Sequence, residues 1–256
     1  LDSVADFFNR HFLCVKLDIE KGKGLELKKP FEIRAYPTLL FLDGKQQVVH
    51  RIVGCDGAEY LMKEAGKALD PQLNFRAMQE RYMAGERATD FILEYLNYLG
   101  HAYLEEEANA IAFQYLQGFK EEELITSANW KIIEKYIKDP LAIPLQVVMK
   151  RRKAFFDLAP EQEVINKLNL TCRSALLPFT RWRPDSEIVF DERYYDALVA
   201  YFKSVDYDLA PECLANLYTA GFMYRGDYSG MLEEMKRVMA YGIAVSYTHL
   251  RAHETA

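Results

Sequence analysis

Tyr36-Pro37-Thr38-Leu39-Leu40-Phe41-Leu42-Asp43-Gly44 decides how the first part of this chain reads. Pro is rare inside a central strand, so Pro37 belongs to a turn and the apolar run 38–42 to the strand after it. Asp43-Gly44 is a hairpin signal, and residues 47–53 return with Val48, Val49, Ile52 and Val53. Gly54 ends that strand. Asp56 is placed to N-cap a helix carrying Leu61, Met62, Ala65 and Leu69 along one face. Upstream, Leu13-Cys14-Val15-Lys16-Leu17-Asp18 reads as a buried strand with an acidic end. A charged turn, Glu20-Lys21-Gly22-Lys23-Gly24, follows it. Residues 25–30 make at most a short helix, which Pro30 stops or kinks.

Before that strand, residues 2–9 read as helix, with Val4, Phe7 and Phe8 on one face. After the boundary Asp70-Pro71 the pattern is helical throughout. Residues 75–83 form one helix. Phe91, Ile92, Tyr95, Leu96, Leu99 and Tyr103 keep helical spacing, as do Ile111, Ala112, Tyr115, Leu116 and Phe119. Further helices are expected over 130–137, 147–156, 164–176, 194–202, 214–222 and 230–240. Short breaks of Pro, Gly, Asp or Ser separate them, as in antiparallel helical hairpins.

The chain has 256 residues and a net charge of −6, which argues against a general nucleic-acid or anionic-membrane role. No apolar run approaches the roughly 20 residues of a membrane span. The 17 tyrosines and 15 phenylalanines can build a sizeable core. Cys14, Cys55, Cys172 and Cys213 follow no metal or redox spacing and read as structural, unpaired thiols. A Cys172–Cys213 bridge stays open, because connectivity is not readable from sequence. His11, His50 and His101 are scattered, without ligand partners nearby in sequence. No metal site and no cofactor are expected.

The order strand, acidic turn, short helix, Tyr-Pro-Thr, strand, Asp-Gly turn, strand, Gly, helix resembles the second half of a thioredoxin fold. The resemblance covers roughly residues 1–69. It is similar to bacterial cell-envelope thioredoxin-like proteins with a long helical C-terminal extension. The fold class expected is therefore α/β, a truncated thioredoxin-like domain over 1–69. An all-α region of helical hairpins follows over 70–244, either tetratricopeptide-like or an irregular bundle. Leu99-Gly100-x-x-Tyr103 with Ala112, Ala220-Gly221-x-x-Tyr224 and Tyr82-x-x-Gly85 are the repeat-like echoes.

The resemblance implies that Pro37 is cis and that Tyr36 offers its backbone to an extended substrate, with Thr38 starting the next strand. Tyr36, Pro37 and Thr38 are thus the substrate-binding candidates. No catalytic residue is expected within the chain. The family's Cys-x-x-C, whose thiolate a helix N-terminus stabilises, would lie upstream of Leu1 with a first strand and a signal peptide. A strand missing between 13–18 and 38–42 would leave backbone groups unpaired, at about 1–3 kcal/mol for each buried group. Cys55, in the loop after Gly54, is a redox candidate without a resolving partner.

The function implied is a thiol–disulfide oxidoreductase fragment, inactive alone, from a periplasmic or cell-envelope protein. Its partners would be disulfide- or thiol-containing protein substrates, with a protein partner on the helical region. The alternative is a non-catalytic interaction protein that uses the thioredoxin-like part as a scaffold. A structural remnant is the third reading. Upstream coding sequence, with or without Cys-x-x-C, separates the first two.

Residues 245–256, Val245-Ser246-Tyr247-Thr248-His249-Leu250-Arg251-Ala252-His253-Glu254-Thr255-Ala256, read as a translated transposase library adapter rather than native sequence. His249 and His253 have metal-ligand spacing, which that reading discounts. The cluster Lys150-Arg151-Arg152-Lys153 and the runs Glu105-Glu106-Glu107 and Glu121-Glu122-Glu123 read as solvated helix faces. Trp182, in Arg181-Trp182-Arg183-Pro184, reads as a loop anchor.

Overall fold

The computed structural model describes residues 2–240, and among these the chain is mostly helical with one two-stranded antiparallel sheet. It divides into two compact units, Leu1–Ala112 and Phe113–Ala256. The adapter-like tail with His249 and His253 lies outside the described residues.

The first unit runs α1 (Asp2–His11), α2 (Gly24–Lys28), β1 (Thr38–Leu42), β2 (Val48–Val53), α3 (Gly57–Leu69), α4 (Phe75–Met83) and α5 (Thr89–His101), with α6 (Glu105–Leu116) starting in it. β1 and β2 form the expected hairpin, in the register Thr38 to Val53, Leu40 to Arg51 and Phe41 to His50. The turn is held differently from the expected use of Gly44. The Asp43 carboxylate accepts the Lys45 and Gln47 N–H groups, and the left-handed residue is Gln46, at φ 63°. Arg76 of α4 clamps Asp43 at 2.7 Å; that hydrogen bond, with those from Gln47 and Lys45, draws its carboxyl down to about 2.

Phe41, Ile52, Ala65 and Ala68 form a core cluster under α3, and Phe7, Phe8 and Phe12 pack against it from α1 and the residue after it. Burial of Ile52, 1% exposed, contributes about 2 kcal/mol. Two expectations change here. On α3 Ala65 is buried and Leu61 packs on the core as read, but Glu64 and Ala68 are buried too and Leu69 is exposed. Asp56 occupies the N-cap but makes no capping hydrogen bond.

Residues 13–18 are not a strand, and they are not buried. Leu13 is 94% exposed, Val15 71% and Leu17 53%, and Cys14 is also exposed. A strand is held by its ladder, and the described sheet contains only β1 and β2. Apolar character alone does not make such a segment a strand.

The second unit holds α7 (Glu121–Leu124), α8 (Ser127–Tyr136), α9 (Ile143–Lys150), α10 (Arg152–Phe156), α11 (Glu161–Thr180), α12 (Glu192–Ser204), α13 (Ala210–Tyr224) and α14 (Tyr228–Ala240). Val164, Leu168, Cys172, Ala175 and Phe179 give α11 its buried stripe at helical spacing. Thr126 caps α8 and Asp191 caps α12, at about 1 kcal/mol each. The helix read over 147–156 is two, since Arg151, at φ −110° and ψ 24°, leaves the helical region. α7 carries the run Glu121-Glu122-Glu123 read as a helix face; the Glu123 carboxylate accepts the Lys120 N–H at its start and Leu124 is fully buried. Gly221 admits the Tyr195 side chain of α12, because a Cβ there would overlap the Tyr195 hydroxyl.

Candidate functional site

The Tyr36–Pro37 peptide bond is cis, the isomer the resemblance implies. Tyr36 is half exposed, with the Lys28 ammonium 5.8 Å from its ring centre. The Thr38 hydroxyl donates to the Ala35 carbonyl at 2.6 Å, which ties the turn to the first residue of β1. The Gly54 N–H donates to the Pro37 carbonyl at 2.8 Å. Tyr36, Pro37 and Thr38 therefore sit together where the chain enters β1.

That last bond fixes which way the strand faces. Antiparallel ladders alternate residue by residue between bonded and non-bonded pairs. With Pro37 and Gly54 bonded, Thr38 and Leu40 turn their N–H and C=O groups away from β2. Arg51, opposite Leu40, obeys the same alternation: its N–H and C=O both meet the Tyr98 hydroxyl on the far side. The outer side of β2 is thus occupied at Arg51 by Tyr98, and the Arg76 guanidinium covers the Val48 carbonyl. The outer edge of β1 is open: among the described residues nothing bonds the amide or carbonyl of Thr38 or Leu40.

Beneath this sheet lies a buried polar chain that periodicity did not bring together. His50 is fully buried; its Nε2 lies 3.1 Å from Glu64 Oε2, and its Nδ1 accepts the Phe75 N–H at 3.3 Å. Nε2 is thereby the donor to Glu64. Lys67 Nζ closes on Glu64 Oε1 at 2.8 Å. Burial raises the Glu64 carboxyl, but the bonds from His50 and Lys67 outweigh it and hold it down to about 2. The available signal was a carboxylate on the apolar stripe of α3, one residue before Ala65.

Cys55 is exposed, one residue beyond the Gly54 that bonds Pro37. Cys172 and Cys213 are buried, free and hydrogen-bonded to each other, which with burial pushes the Cys213 thiol far up. The basic cluster is tied down: Lys150 and Arg151 pair with Glu121 and Arg152 donates to the Met149 and Asp206 carbonyls. Trp182 packs edge-on against Phe190 and Tyr224. No group of three His, Cys, Asp or Glu side chains able to hold a metal ion occurs among the described residues. No described helix is long and apolar enough to cross a membrane. No protein-family model, no curated protein and no solved structure matches this chain.

Proposed function

We propose that this chain binds an extended polypeptide segment along the open edge of β1, as the docking half of a thioredoxin-like exchange site. The observation that carries the reading is the outward row of unpaired backbone groups at Thr38 and Leu40. An extended chain laid there gains main-chain hydrogen bonds, and the half-exposed Tyr36 gives a side-chain contact at one end. The thioredoxin-like reading rests on the order of motifs around Pro37. It assigns the binding role to Tyr36, Pro37 and Thr38 and a periplasmic setting to the protein. As a docking module the chain works without catalysis.

Reduced, carboxymethylated insulin B chain is a suitable extended probe. The expected result is a saturable shift of the Thr38 and Leu40 amide resonances, with slowed hydrogen exchange at both. Shifts absent from these amides, or spread evenly over the protein, would overturn the docking edge.

A redox reading has one specific support, the exposed Cys55 next to the Gly54–Pro37 bond. Its thiolate would attack a substrate disulfide, forming a mixed disulfide and releasing the other sulfur as thiolate. Cys55 belongs to no Cys-x-x-C pair that would resolve it, so exchange would stall there. Turnover of insulin by dithiothreitol is therefore expected to be the same with this chain as with its cysteine-free variant. A faster rate with the wild-type chain would favour the enzyme.

A further inference from the structure

The first unit contains a cavity of about 330 Å³, away from the β1 edge and between β2, α4, α5 and the start of α6. This is within the size range of small-molecule sites. Its aromatic wall is Phe75, Tyr82 and Tyr95. Tyr95 lies 6.2 Å from Phe75, stacked, and 5.5 Å from Tyr82, tilted. Leu99 and Leu104 extend the apolar surface. The wall is thus suited to a flat apolar body.

The polar lining is sharply divided. Arg51 is largely buried, and its guanidinium is committed to the main-chain carbonyls of Phe31 and Glu32. The Glu32 and Glu107 carboxylates are exposed and have no partner among the described residues. Both charges act on Arg51, opposing the downward pull of burial on its guanidinium. Of the cations near the lining, Arg34 pairs with Glu106 and donates to the Tyr103 carbonyl, and the Arg87 guanidinium lies over the Tyr82 ring, 3.7 Å from its centre, and donates to the Tyr82 carbonyl. Two carboxylates against one guanidinium leave the lining one negative charge in excess.

Glu32 is also the wrong residue for its backbone. The Glu32 N–H bonds the Lys29 carbonyl and the Ile33 N–H bonds the Lys28 carbonyl, the paired bonds of a Schellman cap. Glu32 takes its left-handed position at φ 48°. The same motif ends α4 with Gly85 and α13 with Gly226, the residue such caps favour, and α5 with Tyr103 at φ 57°. A carboxylate at a helix C-terminal end also meets the wrong pole of the dipole. Residues that break local rules without local gain mark functional positions.

We infer that this cavity binds a small amine with an aromatic body, its ring against Phe75, Tyr82 and Tyr95 and its ammonium between Glu32 and Glu107. Tyr95, whose hydroxyl burial pushes up to about 12, stays protonated and adds no competing charge to the wall.

Calorimetric titration of the full chain with tryptamine, and with indole-3-acetate as its charge-reversed counterpart, tests this. Tryptamine is expected to bind saturably and indole-3-acetate about tenfold more weakly or not at all. Glu107→Gln is expected to weaken tryptamine about fivefold, the effect of one partly exposed charge contact. Glu32→Gly is expected to weaken it likewise while raising the Tm, so the loss is not a folding defect. Absence of saturable tryptamine binding, equal binding of the acid, or unchanged affinity in Glu107→Gln would overturn the site.

Discussion

Tyr98 holds Arg51 by both of its backbone groups: one hydroxyl accepts the Arg51 N–H and donates to the Arg51 carbonyl, each at 2.8 Å. The ring does separate work, stacking on Phe75 with centroids 4.9 Å apart. Tyr98→Phe keeps the ring and strands two buried backbone groups. The expected loss is about 3 kcal/mol in urea unfolding. A loss below about 0.5 kcal/mol would mean that water takes over the hydroxyl's role.

Glu64 sets an acid limit on the first unit. Its carboxyl falls from 4.5 to about 2 in the folded state. A depressed carboxyl contributes stability that is complete above the unfolded value and lost as pH falls through the folded one. Unfolding free energy is therefore expected to drop between about pH 4.5 and pH 2, by about 2 kcal/mol from this group. Glu64→Gln should flatten that part of the profile. An unchanged acid slope in the variant would remove Glu64 from the account.

Lys167 acts in the opposite sense in the second unit. Its ammonium donates to the Ile137 carbonyl at 2.6 Å, yet burial lowers it from 10.5 to about 8, with Glu134 opposing and Lys138 assisting. Between those values the unfolded chain binds the proton more tightly than the folded one, so stability should rise as pH increases from about 8 toward 10. The difference between wild type and Lys167→Met is expected to vary over this window. A pH-independent difference would show an ordinary lysine.

The four cysteines should fall into two classes. Cys14 and Cys55 are exposed, and Cys172 and Cys213 are buried against each other. Native labelling with a maleimide is expected to modify the first pair quickly and the second only after unfolding. Mass spectrometry reads the sites directly, and early modification of Cys172 would contradict the packing of α11 on α13.

Much of the fold is legible because helices and tight hairpins are local. The boundaries 75–83 follow from spacing and turn residues alone, and α4 spans Phe75–Met83. What escaped the sequence is what depends on distant partners. Residues 13–18 have the composition of a strand but no described ladder to join. His50 looked isolated because Glu64 is fourteen positions away and Phe75 twenty-five. Gly44 looked like the pivot of the hairpin, but the Asp43 side chain organised a longer turn and moved the left-handed residue to Gln46. The candidate edge at Tyr36, Pro37 and Thr38 was visible as a motif. Its direction was not, since that depends on the ladder bond between Pro37 and Gly54.

The sheet is a one-sided template. Endless ribbons grow only when every added copy presents two open sides, one to join by and one to offer. Here Tyr98 occupies the β2 side at Arg51. Strand pairing between copies through Thr38 and Leu40 consumes β1 on both. Pairing of copies through this sheet is therefore expected to use β1 before β2, because β1 offers its groups at both Thr38 and Leu40.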